Sequence, residues 1–318
     1  MVRKRVLMIL AVFVMTLCMG FAAFSPVTYA AEANAAKKAI LVVSFGTTFP
    51  DTRKATIDSV TEKIRTTFPD YEVRQAFTSR IIIKRVQENE GIKYDTEKQA
   101  LAKLQADGYK EVIVQPLHME AGDEYDKVRK VVESYQGTKA FDKIALGRPI
   151  LYYVGQEEKP DDYMIAIKAL QKQFPKIDRN EAVVFMGHGG VHPSNAAYAA
   201  LQMKIKDAGL NNAFVFTVEG YPSFENLLET LKANKIKKVT LMPLMVVAGD
   251  HANNDMAGDE SDSFKSQLLA AGYKVDTYLH GLGENAAIQD IYVQHVKDAI
   301  SGELTQRSAD APSIPVIE

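Results

Sequence analysis

The stretches "QPLHMEAGDEYDKV" (Gln115–Val128) and "MPLMVVAGDHANND" (Met242–Asp255) share the frame Pro-Leu-x-x-x-Ala-Gly-Asp. Each opens with apolar residues, as the end of a buried strand does, breaks at Ala-Gly-Asp and turns toward a helix. The frame delivers Glu124 in the first copy and His251 in the second. Two further matches lie outward from it in the same order. "ILVVSFGTT" (Ile40–Thr48) aligns with "VVFMGHGGV" (Val183–Val191), which sets Phe45 against His188. "VRQAFTSR" (Val73–Arg80) aligns more loosely with "FVFTVEGY" (Phe214–Tyr221), which brings Glu219 to a strand end. Three matches in one order indicate an internal duplication.

Short apolar runs alternate with longer amphipathic ones along both halves. The runs near residues 39–44, 72–77, 111–117, 143–147, 182–187, 213–218, 238–244 and 274–279 read as strands. Segments 52–68, 96–107, 123–135, 161–174, 194–208, 223–233 and 264–271 read as helices. Such alternation predicts an α/β fold of parallel sheets covered by helices on both faces. We expect two similar α/β domains, 38–150 and 151–302, with a cleft between them, a terminal helix that crosses over, and a frayed tail over 303–318.

The first residues have another character. Arg3, Lys4 and Arg5 precede the apolar run Val6–Phe24, and Thr28-Tyr29-Ala30 offers small residues at a cleavage site. This pattern predicts a secretory signal peptide over 1–30 and a periplasmic protein, with no transmembrane segment after cleavage. Cys18, the sole cysteine, would leave with it, so no disulfide or thiol chemistry is expected. Without the three basic residues, 35 Lys+Arg face 40 Asp+Glu, a net charge of −5 that argues against a nucleic-acid partner.

Ligands of open parallel sheets sit beyond the carboxyl ends of the strands. There the second half delivers His188, Glu219 and His251, and the first half Phe45 and Glu124. Two imidazoles and a carboxylate suit a divalent metal such as Co²⁺, Fe²⁺, Ni²⁺ or Zn²⁺, and imidazole accepts protons near neutral pH. "GHGG" lacks both a Walker lysine and the spaced glycines of a dinucleotide fingerprint, so no nucleotide is expected. His118 reads as a core or cleft-wall residue, Ser194 or Asn195 as a helix cap beside His192, and His280 and His295 as surface residues.

Across nearly the whole chain beyond the leader, the motifs "ILVVSFGTTFPDTR", "AFTSRIIIKR", "QPLHMEAGDEYDKV", "FMGHGGVHPSNAAY", "VEGYPSFENLL" and "MPLMVVAGDHANNDMAGD" resemble the anaerobic cobalt chelatases of the CbiK type. These are sirohydrochlorin cobaltochelatases within the class II chelatases. The resemblance implies two flavodoxin-like domains with a tetrapyrrole cleft, and Co²⁺, or else Fe²⁺, as the substrate metal. It implies His188 and His251 as the metal-binding and proton-accepting pair, Glu219 as the third metal ligand and Glu124 as a catalytic carboxylate facing them. Homo-oligomers are compatible with it. Apolar walls are expected from Phe45, Met119, Met186, Met245 and Val247, and basic contacts to the substrate carboxylates from Arg53 and Arg80. Export departs from the cytoplasmic setting of tetrapyrrole synthesis, which keeps open the alternative of a non-catalytic carrier of metal or tetrapyrrole, such as haem, on the same fold.

Overall fold

Eight strands form two four-stranded sheets in the computed structural model, which describes residues 36–304. The expected signal peptide and the tail beyond residue 304 lie outside the described residues. The first sheet contains β1 (Lys38–Ser44), β2 (Glu72–Phe77), β3 (Glu111–Pro116) and β4 (Lys143–Leu146) in the order β2-β1-β3-β4. The second contains β5 (Glu181–Gly187), β6 (Ala213–Thr217), β7 (Lys238–Pro243) and β8 (Lys274–Thr277) in the order β6-β5-β7-β8. Every pairing is parallel, and the two sheets repeat one topology. This is the duplication read from the repeated motifs.

Parallel strands covered on both faces need nearly continuous apolar sequence, which "KAILVVS" and "EAVVFMG" supply. The strand period of two then sorts residues between faces. Ile40 and Val42 of β1 and Val183 and Phe185 of β5 enter one shared hydrophobic cluster. Ala39, Leu41 and Val43 face a separate cluster on the first sheet, and Ala182, Val184 and Met186 another on the second.

The helices of the first half are α1 (Ser59–Thr67), α2 (Arg80–Glu90), α3 (Glu97–Ala106) and α4 (Asp123–Tyr135). A helical turn, Pro50–Arg53, and a π turn, Lys54–Asp58, lead into α1. The second half adds α5 (Asp162–Leu170), α6 (Ala196–Asp207), α7 (Phe224–Ala233), α8 (Phe264–Ala270) and α9 (Ala286–Ser301). Helix α2, absent from the segments named above, carries the β-branched run Ile81-Ile82-Ile83; Ser79 caps it and Gly91, at φ 71°, ends it.

As expected, α9 crosses over, packing on α1 and β3 of the first half. A buried ionic cluster fixes it there. The Arg148 guanidinium donates to Asp162 (2.9 and 3.1 Å) and to Asp298 of α9 (2.6 Å). His295 sits in the same cluster with Nδ1 2.9 Å from the Arg148 carbonyl. It is fully buried rather than a surface residue, because the α9 face that carries it covers the first sheet.

Candidate active site

Strand β5 runs into Gly187-His188-Gly189-Gly190, and the two glycines that flank the imidazole, Gly187 and Gly189, are required by space. A Cβ on Gly187 would lie 2.3 Å from Cε1 of Tyr198, whose ring is buried in α6. Gly189 has φ 77°, and a Cβ there would lie 2.6 Å from Cβ of Thr217 and 2.9 Å from the Gly220 nitrogen. The loop is tied to its neighbour by Asn195, whose Oδ1 accepts from the Gly190 amide (3.2 Å) and whose Nδ2 donates to the Tyr221 carbonyl (2.8 Å). His188 is lifted out, exposed, at the lip of the sheet. Its Nδ1 lies 2.9 Å from the Gly189 carbonyl. A carbonyl can only accept, so Nδ1 carries the proton and Nε2 presents a lone pair.

His251 reaches the same place from β7. It precedes a π turn, Ala252–Met256, a rare helical form that recurs at functional sites. Asn253 holds the turn by donating to the carbonyls of Gly249 (2.7 Å) and Ala248 (3.2 Å). Nδ1 of His251 is 2.7 Å from Oδ2 of Asp255. A carboxylate that accepts from Nδ1–H fixes both the tautomer and the ring orientation of a metal-binding histidine. Both imidazoles therefore offer Nε2. Their centroids stand 4.7 Å apart with the planes at 89°, so residues from two separate strand ends meet at one point.

Glu219 joins this edge through its backbone, its amide donating to the His188 carbonyl (2.9 Å), with an exposed side chain. Among the described residues no group of three or more His, Cys, Asp or Glu side chains is assembled to hold a metal. The expected triad is therefore not assembled: the two imidazoles meet, while Glu219 stands on the adjoining strand end with its carboxylate in solvent. Phe45 projects from the end of β1, 49% exposed, and its carbonyl accepts from the Ser79 amide at the start of α2 (3.4 Å). Arg80, the first residue of α2, is exposed. Glu124 lies in the first turn of α4; one oxygen engages Lys127 and the other is buried without a partner.

Several expected wall residues are placed elsewhere. Arg53 is buried and paired with Glu90 from the end of α2, so it is not a free rim cation. Met186 is fully buried, because its strand face points to the second sheet's own cluster. Met119 packs into the shared cluster, 7% exposed. Met245 and Val247 are half-buried, packed against different clusters. His192 itself caps the turn Pro193–Asn195, accepting from the Ser194 amide (3.1 Å), where a Ser or Asn cap was expected.

Two polar groups at the site escaped the sequence reading. Asp255 could be found from its i,i+4 relation to His251. Glu120 could not: its carboxyl accepts from the Tyr198 hydroxyl (3.1 Å), a partner distant in sequence. Burial pushes the Glu120 pKa above the usual carboxylate range, against the opposing pull of Tyr198, His188 and His192. A separate depression of about 540 Å³, lined by residues including Asp58, Arg65, Arg74 and Tyr94, contains none of these groups.

Comparison with known proteins identifies the chain's relatives. The family model described as "Cobalt chelatase (CbiK)" matches residues 38–301. A sirohydrochlorin cobaltochelatase of Salmonella typhimurium is 42% identical over 265 residues, covering 83% of this chain and 97% of that protein. Sirohydrochlorin cobaltochelatase CbiKC of Nitratidesulfovibrio vulgaris is 34% identical over 266 residues, covering 83% and 91%. Among solved structures, SirB from Bacillus subtilis with Fe³⁺ shares the fold at TM-score 0.57 and 14% identity, covering 84% of this chain and 98% of SirB. A chelatase-like multi-domain protein of Deinococcus radiodurans, DR2241, matches at TM-score 0.51 and 15% identity, covering 85% and 56%. A family match over almost every described residue and two relatives above 30% identity have one meaning: the chain belongs to the cobalt chelatase (CbiK) family.

Proposed function

We infer that this chain is a sirohydrochlorin cobaltochelatase, which inserts Co²⁺ into the free tetrapyrrole. The observation that carries the reading is the perpendicular His188–His251 pair, whose Nδ1 atoms are both engaged while both Nε2 atoms are left to bind. Insertion removes water from a divalent ion and two protons from pyrrole nitrogens. Two neutral nitrogen donors on an open lip bind the ion loosely enough for it to leave for the macrocycle, unlike a closed thiolate cage. Glu219, on the adjoining strand end, adds an oxygen donor when the ion arrives. One imidazole, freed as the metal departs, takes a pyrrole proton, and Glu124 is the second acceptor.

The polycarboxylate substrate needs cations around an apolar seat. Phe45 supplies exposed ring surface, and Arg80 stands in the first turn of α2, where no acidic residue offsets it. A cation at the positive end of a helix is unfavourable by itself and favourable beside a bound anion. The basic and apolar leader of residues 1–30 supports residence in the periplasm. Cell fractionation tests that point: signal confined to the cytoplasm overturns it.

Turnover separates enzyme from carrier. The protein lacking the leader is mixed with excess sirohydrochlorin and Co²⁺, Fe²⁺ or Ni²⁺, and metallation is followed by absorbance. Many equivalents of cobalt product per protein, formed faster than with Fe²⁺ or Ni²⁺, are expected. A reaction that stops near one equivalent contradicts the enzyme reading and favours the carrier; faster iron insertion reassigns the metal.

A further inference from the structure

Glu120 occupies the position that Val247 fills in the second copy of the repeated frame. A half-buried valine is unremarkable at such a place. A half-buried carboxyl there carries a desolvation cost that its partners must offset. The partners are specific. Oε2 of Glu120 accepts the hydroxyl of Tyr198 (3.1 Å). Oε1 is held beside Gly122, where an added Cβ would come within 3.0 Å of it.

Tyr198 carries the link onward. Its ring lies on Gly187, the residue before the imidazole, so closely that a Cβ there would come within 2.3 Å of ring carbon Cε1. One buried phenol therefore joins a carboxyl of the first half to the backbone at Gly187, just before the imidazole. Tyr198 is almost fully buried, so its hydroxyl proton needs an acceptor within the protein. Glu120 is that acceptor. Without it the buried donor turns away in search of another, and the ring shifts against Gly187.

We propose that Glu120 is a positioning residue that acts through Tyr198 to hold the His188 loop, and with it Nε2 of His188, in register with His251. Only the kinetic arm of its test rests on the chelatase reading. A positioning role requires an acceptor at this point and not a charge, so Glu120→Gln preserves it, while Glu120→Leu and Tyr198→Phe abolish it.

The experiment compares these three variants with the unmodified protein in Co²⁺ insertion, thermal melting and imidazole ¹⁵N spectra. Displacements of about 1 Å in a reacting group cost rates on the order of 100-fold. Glu120→Leu and Tyr198→Phe are expected to lower kcat by about 10- to 100-fold with KM for the tetrapyrrole within about threefold. Glu120→Gln is expected to stay within about threefold on both constants. The spectra need no turnover: His188 shows the Nδ1–H tautomer in the unmodified and Gln proteins and a mixture in the Leu and Phe variants. Should Glu120→Leu fail to fold, the Gln and Phe variants carry the same decision. Glu120→Gln as impaired as Tyr198→Phe, or His188 spectra identical in all variants, overturns the proposal. If the unmodified protein shows no turnover while the spectra behave as expected, the chelatase reading fails and the positioning role stands.

Discussion

Acidification should unfold this protein partly through one imidazole, that of His118. Both ring nitrogens of His118 are buried without a hydrogen-bond partner. Burial pushes its pKa down to about 4, with Glu124 opposing and Lys127 reinforcing the shift. An unfolded histidine titrates near 6.5. Between these values the unfolded chain binds a proton that the folded chain refuses, so stability is complete above about pH 6.5 and falls as pH drops toward 4. At about pH 4.5 the unfolded imidazole is almost fully protonated and the folded one mostly neutral, a difference worth about 2.5 kcal/mol. Other groups titrate in the same window, so the measurement is a comparison. Urea unfolding of the unmodified protein and of His118→Leu is followed at about pH 7.5 and about pH 4.5. Replacing an unpartnered polar group by an apolar one of similar shape is nearly neutral, so the two proteins should agree within about 1 kcal/mol at the higher pH. At the lower pH His118→Leu should retain about 2.5 kcal/mol more of its stability. Equal losses in both, within about 0.5 kcal/mol, would refute the claim that the His118 imidazole is folded in as a neutral group.

Asp255→Ala leaves the His251 tautomer unfixed, and Co²⁺ insertion should fall by about 10- to 100-fold with little change in melting temperature, read by steady-state kinetics. Gly187→Ala drives a methyl group into the Tyr198 ring and should destabilise the fold by about 1–3 kcal/mol in urea titrations. Arg148→Met removes the charged partner of the buried carboxylates Asp162 and Asp298 and should cost about 3–5 kcal/mol at neutral pH by the same measurement.

The repeated Pro-Leu-x-x-x-Ala-Gly-Asp frame carried most of the fold, because a duplicated parallel sheet leaves the same apolar strand and the same Gly break in both copies. With the aligned strand ends at Ile40–Thr48 and Val183–Val191 it carried the imidazole pair too, because the end of a β5-type strand and the end of a β7-type strand are neighbours wherever this topology forms. What lay beyond reach depends on tertiary partners. Arg53 looks like a rim cation until α2 folds and returns Glu90 to it. Met186 and Met119 have suitable chemistry for a macrocycle, but nearness to a strand end does not reveal which cluster a side chain joins. His295 looks exposed on an amphipathic helix until α9 crosses onto the other half and encloses it with Arg148 and Asp162. Glu120 has no local signature, since its partner Tyr198 belongs to a helix of the other half.

The proposed chemistry requires two imidazoles distant in sequence to take hold of one incoming metal ion. X-ray absorption at the cobalt edge, on protein mixed with about one equivalent of Co²⁺, tests it most directly. Two imidazole nitrogens at about 2.1 Å are expected in the unmodified protein, and one in each of His188→Ala and His251→Ala. Cobalt whose coordination is unchanged by either substitution would contradict the claim.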